Sequence, residues 1–513
     1  VVNPWVTTDK SVNCYNEKTI IADLTAGPTG PQDKAIAVFS FFQRAMFPYT
    51  NRSEYPFPKN DQQHHFDFVR MVNVYGYALC TQTSAMFASL LQRSGIVEDA
   101  RCVGVPGHGT AEVKWGGRWH FMDPIVGAFV FRRDREEIAS IQDIAADTTL
   151  MTRAVEEGRA SMPFCPWDAG PVYPLESLAQ KDVWFTYRAY GLDFLLGALP
   201  EPDPWEETVT ITHEMSFNLR PGFRLTRMWD HLPGMYNLSY EYFRQPFNSK
   251  VWTPSPAILP PHQPDGGEEA SDTLNWPVIK PYRKTINGHP SYHYWANGIM
   301  AYEDIFTDSR IFRSADSVTG LEVADGMLRC AASGGGKGEG EAVFRFEAPY
   351  IFVGGTVKVR AQVADGSWTS VCMDLGGEEE VWMTLGVIEK GGDHCFEIPA
   401  HFLRERYDFR LKLKLHDESG AGSVNLRELK AEAVCQLNMY SLPFLAPGEN
   451  EVTVSAGRIP RGTSLAVTYR WQEQGWLREH CRVVKTPGES YNITVAGDEY
   501  PRMREITLEC IPE

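Results

Sequence analysis

The sequence of 513 residues lacks the features of a nucleic-acid-binding, membrane-spanning or zinc-stabilised protein. Its 49 basic residues are outnumbered by 66 acidic ones, and the resulting charge of −17 is spread along the chain. Phosphate binding needs a basic face, so this charge excludes nucleic acid as a partner. No apolar run approaches the roughly 20 residues of a membrane helix, and the nearest is Leu192–Leu199. The ten cysteines occur without the CxxC spacing of structural zinc sites.

Two other motifs fall short of a ligand site. His289 and His293 have the i,i+4 spacing that could bind a metal on a helix, but Pro290 and its neighbours do not indicate a helix there. The glycine-rich run Gly334–Gly338 lacks the Lys-Ser/Thr pair and the following helix of a phosphate-binding loop. We therefore expect no metal and no organic cofactor.

The composition is that of a folded protein with several domains. Hydrophobic residues make up 43% of the chain and aromatic residues 12%, which supplies ample core. A chain of this length should divide into about three or four domains. Because the sequence begins with Val1 rather than Met, we expect that a leader peptide is missing from it and that the protein is secreted or periplasmic. A cytoplasmic location stays open.

The most informative stretch runs from Tyr75 to Asp123. After Cys80, apolar residues recur on one face of a helix about three turns long, and Gly95 follows as a typical left-handed C-cap. The apolar positions are Ala85, Met86, Ala88, Leu90 and Leu91. Cys80 therefore lies at a helix N-terminus, where exposed N–H groups and the positive end of the dipole favour a thiolate.

A predicted hairpin supplies partners for this cysteine. Ala111–Trp115 and Trp119–Met122 flank Gly116-Gly117, a two-residue turn. His108 precedes the first strand and Asp123 ends the second, so a hairpin places them side by side. The order Cys, His, Asp provides a nucleophile, a base and a group that orients the base. Cys102, on the intervening strand, is predicted to be core.

This stretch resembles the transglutaminase-like superfamily. The resemblance rests on a Leu-Leu-x-Arg-x-Gly-Ile run at Leu90–Ile96 and an Ala-Arg-x-Val-Gly strand at Ala100–Gly104. It continues with His108 to Glu112-Val113 and with Trp119 to Asp123-Pro124. Two positions depart from the pattern: Leu79 replaces the usual small residue before the cysteine, and Thr110 stands where tryptophan is common.

The resemblance implies an acyl-transfer enzyme. Members of the superfamily include peptidases, transamidases and peptide N-glycanase-like amidases. By this analogy the Cys80 thiolate attacks a carbonyl, His108 exchanges the proton, and Asp123 holds the imidazole. The expected substrate is an amide bond in a peptide, a glycopeptide or a cell-surface glycoconjugate, or else a polysaccharide.

Further residues are candidates by position. Gln62, Gln63 and Tyr75 precede the cysteine and could donate to an oxyanion, although a solvated polar loop is the simpler interpretation for each of them. Glu112 is a candidate for the cleft. Aromatic rings could line the cleft or bind sugars, or pack in a core, and the candidates are Trp167, Trp276 and Trp295.

Two other functions stay open. A thiolate can attack an anomeric carbon, which gives a retaining cysteine glycosidase, and the β-rich C-terminal half is common in glycan-active enzymes. That mechanism needs a separate acid, for which Glu112 is the nearest candidate. The second alternative is an inactive transglutaminase-like protein that only binds its target.

The predicted organisation combines α+β and all-β parts. Residues 1–204 are predicted to form a transglutaminase-like (papain-like) catalytic domain that ends at the linker Glu201–Pro204, after which helical spacing gives way to alternation. Residues 205–304 are predicted to be a β-rich connecting region that packs on the catalytic domain. A β-sandwich (jelly-roll-like) module at 305–437 and an immunoglobulin-like β module at 438–513 complete the chain.

Individual elements can be predicted from periodicity. The predicted helices outside the central stretch are Ala35–Phe47, Arg135–Ala146 and Leu178–Leu199. The predicted strands after residue 204 are Thr208–Leu219, Arg224–Met228, Ala342–Phe346, Thr356–Val363, Phe409–Leu415, Glu451–Val454, Ser464–Trp471 and Ile493–Val495.

Overall fold

The structure is a computed structural model, and it describes about 70% of the chain. The described residues are 1–48, 67–78, 80–105, 108–124, 128–134, 136–154, 157, 203–205, 213–230, 232, 235, 296–331, 337–376, 380–403, 406–420 and 422–513. Several predictions lie outside them, namely those on Gln62, Gln63, Trp167, Trp276, Trp295, His289, His293 and the helix Leu178–Leu199. In the parts of the chain that the structure describes, no helix has both the length and the apolar character needed to cross a membrane.

The helices lie mainly in the N-terminal third. They are α1 (Glu17–Thr25), α2 (Pro31–Ala45), α3 (Phe68–Arg70), α4 (Cys80–Ser94), α5 (Ile141–Ala146), α6 (Thr149–Thr152) and α7 (Ile311–Ser314), with a π-helical turn at Met71–Tyr75 and 3-10 turns at Ala400–Phe402 and Met439–Ser441. The predictions of α2 and α4 are confirmed. Pro31 begins α2, where its missing N–H costs nothing, and Gly95 ends α4 with a φ of 69°. The predicted helix Arg135–Ala146 is helical only from Ile141.

A four-stranded antiparallel sheet lies beside α4. Its strands are β4 (Asp99–Val105), β5 (His108–Trp115), β6 (Arg118–Met122) and β7 (Asp203–Trp205), in the order β6-β5-β4-β7. The predicted hairpin is confirmed, because Gly116 and Gly117 join β5 to β6 with φ angles of 59° and 73°. Asp203 and Pro204, from the predicted linker Glu201–Pro204, form an edge strand on β4 together with Trp205 instead. Edge strands are where sheets tolerate proline, because one side of such a strand needs no ladder donor.

Apart from one short pair, the remaining described strands build three further sheets. They are β1 (Trp5–Thr8), β8 (Phe223–Met228), β9 (Gly298–Asp304), β10 (Ser317–Thr319), β11 (Leu321–Ala324), β12 (Met327–Cys330), β13 (Gly338–Glu347), β14 (Ile351–Val363), β15 (Trp368–Asp374), β16 (Trp382–Ile388), β17 (Gly392–Ile398), β18 (Asp408–Asp417), β19 (Val424–Gln436), β20 (Gly448–Ser455), β21 (Thr463–Glu473), β22 (Trp476–Val484), β23 (Glu489–Val495) and β24 (Arg502–Pro512). A short parallel pair, β2 (Phe47–Pro48) with β3 (Tyr77–Ala78), stands apart.

The sheets bring distant parts of the chain together. A ten-stranded sheet contains the path β11-β12-β19-β9-β8-β24-β21-β22, with β14 beside β19 and β17 beside β14. A five-stranded sheet has the order β10-β13-β18-β15-β16, and a three-stranded sheet the order β1-β20-β23. All of these pairings are antiparallel. Most predicted strands are confirmed, but residues 213–219 form only an isolated bridge at Asn218.

The predicted fold class is wrong. Among the described residues strands hold far more of the chain than helices, and no papain-like α+β core is present. The helical part next to Cys80 is one helix beside a four-stranded sheet, within a chain that is mostly β. The error arose because a class inferred from one stretch carries no information about how the long alternating runs elsewhere pair.

The sheets also cross the predicted domain boundaries. The ten-stranded sheet takes β8 and β9 from the predicted connecting region, β19 from the predicted jelly-roll module and β24 from the predicted immunoglobulin-like module. In the N-terminal part, β1 pairs with β20 from Trp5↔Ser455 to Thr8↔Val452. The boundaries therefore do not separate independent hydrogen-bonded sheets, although they stay predictions as limits of domains.

We predict that residues 1–204, expressed alone, will be insoluble or inactive. The fragment lacks β20, so the edge of β1 loses its partner and the buried Trp5 and Val6 lose part of their cover. Soluble yield, circular dichroism and turnover of the fragment should be compared with those of the full chain prepared in parallel. A soluble fragment with full activity would contradict the prediction.

One buried carboxylate gives the β region a measurable pH dependence. Asp417, at the end of β18, is 1% exposed and accepts hydrogen bonds from the N–H groups of Ser419, Gly420, Gly422 and Ser423 at 2.7 to 3.1 Å. Burial alone would raise the pKa of Asp417, but these bonds and those from the Ser423 and Ser419 hydroxyls outweigh it and lower the pKa to about 2.

We predict that Asp417→Asn lowers the free energy of unfolding by about 2 kcal/mol at pH 7. The ionised carboxylate stabilises the fold above the unfolded-state pKa near 4, and this contribution is lost as the pH falls toward 2. The difference between wild type and variant should therefore shrink over that window in a series of thermal unfolding experiments. Asp365→Asn, at an exposed turn, is the control. A difference that does not change with pH would contradict the assignment.

Candidate functional site

The structure places Cys80 at the first residue of α4. This helix is 15 residues long, and the side chain of Cys80 is partly exposed, with its Sγ 3.9 Å from Thr81 Oγ1. The first N–H groups of a helix have no acceptor within the helix and carry the positive end of its dipole. The predicted position of the thiol at a helix N-terminus is confirmed, and such a position stabilises a thiolate.

The first turns of α4 touch the start of β5, where His108 lies. Ser84 Oγ donates to the carbonyl oxygen of Gly109 at 3.1 Å. A Cβ atom on Gly109 would lie 3.2 Å from Thr81 Cα and 3.0 Å from Thr81 Oγ1, closer than a side chain usually comes. Only glycine allows this approach without displacement. The backbone at His108 is thus held next to the helix turn that carries Cys80.

Asp123 lies directly after β6 and is 1% exposed. Its N–H donates to the carbonyl oxygen of Ala128 at 2.8 Å, and its own carbonyl oxygen accepts from Ala128 at 3.0 Å. Ala111 pairs with Met122, so the same register continued by one step puts Asp123 opposite Thr110. His108 is two residues from that position on the same strand. The backbones of the three predicted catalytic residues therefore meet at one end of the sheet.

Glu112 is tied into the sheet rather than available in a cleft. Its side chain is 1% exposed, and one carboxylate oxygen lies 2.6 Å from Arg101 Nη2. The other oxygen accepts a hydrogen bond from Ile141 N at 3.2 Å. The guanidinium of Arg101 also lies over the Trp119 ring, 4.1 Å from its centre. These contacts explain a buried carboxylate without any catalytic role.

Tyr75 is fully buried in the hydrophobic core. It ends the π-helical turn Met71–Tyr75, and Gly76 follows in the left-handed conformation with a φ of 70°. Its candidacy as oxyanion donor stays a prediction. Cys102 is also buried, on β4, which confirms its predicted place in the core.

Sequence reasoning gave no role at this site to three polar residues, Thr81, Thr83 and Thr110. The Gly109–Thr81 contact has a sequence signal only in the Gly107-His108-Gly109 run, which shows small residues but not the helix they face. Thr83 and Thr110 are buried, and among the described residues their hydroxyls have no hydrogen-bond partner. Thr110 could be noted only as a departure from the superfamily pattern, and Thr83 carries no pattern that would have identified it.

No metal site accompanies this geometry in the described part of the chain, where no group of three or more His, Cys, Asp or Glu side chains is placed to hold an ion. No protein-family profile matches the chain, and no curated protein is similar to it.

We predict that Gly109→Ala lowers turnover by about tenfold or more, because the new methyl group must push the first turn of α4 away from β5. The melting temperature should fall only modestly, as for other small-to-large changes in packed regions. Steady-state kinetics and thermal unfolding measure the two effects. Gly27→Ala, where a Cβ would have no neighbour within 4 Å, is the control. Wild-type turnover in folded Gly109→Ala would show that the contact has no role.

Proposed function

We propose that this protein is a cysteine-dependent hydrolase that cleaves an amide bond through a covalent thioester. Cys80 is the nucleophile, His108 is the general base and acid, and Asp123 orients the imidazole. The observation that supports this most is the packing of the α4 N-terminus against the start of β5. This contact puts the helix turn that begins at Cys80 next to the strand that begins at His108, and the register of that strand with β6 puts Asp123 at the same end.

The chemistry follows from these places. The thiolate adds to the carbonyl carbon of the substrate, and N–H groups in the first turn of α4 are oriented to stabilise the developing oxyanion. His108 then gives its proton to the leaving amine as the C–N bond breaks, which leaves a thioester on Cys80. Water, deprotonated by His108, hydrolyses the thioester and releases the acid and the free thiol.

The buried surroundings of Asp123 suit an orienting role. Asp123 is almost fully buried, and its backbone is held by two hydrogen bonds to Ala128, so the base of its side chain keeps one position. Such a group holds the imidazole in one tautomer and stabilises the imidazolium that forms during the reaction. Asp123 is thus the fixed member of the triad, while Cys80 is the partly exposed member that substrate reaches.

Peptides, glycopeptides and cell-surface glycoconjugates are the proposed substrate classes. The proposal takes its chemistry from the resemblance of Cys80–Pro124 to the transglutaminase-like superfamily, and it takes no fold from that resemblance. A secreted or periplasmic location belongs to the same proposal, because it would give access to such substrates.

The observed surroundings of Glu112 favour the amidase over the glycosidase. A retaining cysteine glycosidase needs a carboxylic acid that can protonate the leaving oxygen. Glu112 was the nearest candidate, but both of its oxygens already accept from Arg101 and Ile141. Amide cleavage does not need this second acid, because His108 protonates the leaving amine.

We predict that Cys80→Ala abolishes turnover, with a loss of about a thousandfold or more in kcat, because no other group can form the covalent intermediate. The assay is a panel of peptide, glycopeptide and aryl-glycoside substrates, which also separates the three functions considered. Cys395→Ala, which alters an exposed cysteine on β17, is the control and should keep full activity. Wild-type-like turnover in Cys80→Ala would refute the mechanism, and turnover of glycosides alone would favour the glycosidase.

A further inference from the structure

The segment that leads to Cys80 has an unusual backbone. It runs through α3, the π-helical turn Met71–Tyr75, the left-handed Gly76 and the short strand β3. π-helical turns are rare, and those that occur are found frequently at functional sites. The wider turn needs support from outside the helix. The source of that support decides what holds the nucleophile in place.

The support comes from Asn438, in the connection between β19 and β20. Its Nδ2 donates to the carbonyl oxygen of Ala45 at 2.7 Å and to that of Val72 at 2.6 Å. Its backbone N–H donates to the carbonyl oxygen of Asn73 at 2.8 Å. One residue thus joins the end of α2 to the middle of the π-helical turn, with partners up to 393 residues away in sequence.

Asn438 is itself held in one orientation. It is 3% exposed, and its Oδ1 accepts from Tyr440 N at 3.1 Å, which caps the 3-10 turn Met439–Ser441. This bond distinguishes the two ends of the amide, because Oδ1 has an N–H donor and Nδ2 has two carbonyl acceptors. All the polar atoms of the side chain are therefore used, as burial requires.

Gly76 packs directly against this amide. A Cβ atom on Gly76 would lie 2.6 Å from Asn438 Cγ, and the φ of 70° is itself unfavourable for other residues. The chain must therefore turn at Gly76 with its backbone in contact with Asn438. Cys80 follows four residues later, after β3.

The other anchor of this segment also begins at the end of α2. Ala45 is the last residue of α2, and β2 follows within two residues and pairs in parallel with β3. Asn438 and β2 thus tie the end of α2 to both sides of Gly76. The stretch that remains before Cys80 is too short to take up a displacement without moving the thiol.

We propose that Asn438 is a positioning residue for Cys80, and that the β region contributes to the site through its side-chain amide. The inference rests on the proposed function, because it concerns the reactivity of the same thiol. Loss of the amide releases the carbonyls of Ala45 and Val72 inside the core. The π-helical turn then relaxes, the first turn of α4 shifts, and the thiol moves relative to the imidazole that favours its thiolate.

The test compares Asn438→Ala with Asn450→Ala. Asn450 is also buried in the C-terminal part. Its Nδ2 donates to the carbonyl oxygens of Ala446, Gly448 and Ile493 and its Oδ1 accepts from Ala446 N, so its loss disrupts at least as many hydrogen bonds, all of them within the β region. The measurements are melting temperature, turnover and the rate at which iodoacetamide alkylates Cys80, followed by mass spectrometry of its peptide from pH 5 to pH 9.

We expect both variants to lose stability, and only Asn438→Ala to change the thiol. Its alkylation at pH 7 should slow by about tenfold, with the pH profile shifted upward, and its kcat should fall by about 10- to 100-fold. Asn450→Ala should keep the wild-type pH profile. Asn438→Ser, which retains one donor and is the milder change, should show the same effects to a smaller degree and replaces the alanine variant if that does not fold.

Two results would overturn the inference, and they are distinguishable. A folded Asn438 variant with the wild-type pH profile and kcat would refute the positioning role and leave the proposed function intact. A wild-type Cys80 that reacts no faster than the exposed Cys395 at pH 7 would refute the proposed function, and the positioning role with it.

Discussion

The pairing of the first strand of the chain with β20, in its C-terminal part, is the constraint on which the rest of the structure depends. β1 lies against β20, and Asn438 reaches from the β region to the end of α2. A contact between such distant segments closes a long loop, which costs conformational entropy. It forms stably only where the burial of apolar surface in a shared core offsets that cost. Trp5 and Val6, both buried on β1, belong to that core. The part that carries the thiol is therefore stable as part of the whole chain.

Elements with local signals could be predicted from the sequence. The helix from Cys80 ends at Gly95 because a left-handed residue there satisfies the last carbonyl groups, and glycine is the residue that adopts it most easily. Gly116 and Gly117 likewise take the positive φ angles that the hairpin turn requires. Each candidate residue on these elements could therefore be assigned to its helix or strand, because a helix and a hairpin determine where their own residues lie relative to one another.

The pairing of strands could not be predicted in the same way. An alternating run shows that a strand has a buried face, and any other alternating run can serve as its partner. This is why the predicted fold class is wrong, and why the predicted linker Glu201–Pro204 contains two residues of a strand that pairs with β4. Asn438 shows the same limit for side chains: a single buried amide has no period, and its partners Ala45 and Val72 carry no signal because only their carbonyl oxygens take part.

The candidate site depends both on local elements and on long-range contacts, which makes it sensitive to substitutions in either. Local elements set which chemical groups are present, and long-range contacts set the distances between them. A displacement of about 1 Å can slow nucleophilic attack a hundredfold. A folded protein whose free energy of unfolding is about 5–15 kcal/mol can lose a few kcal/mol and stay folded. Changes at Gly109 or at the Asn438 contact should therefore impair the chemistry well before they unfold the protein. Under the proposed function, Asn438 positions the nucleophile from outside the proposed triad, and most of the chain separates it in sequence from those three residues.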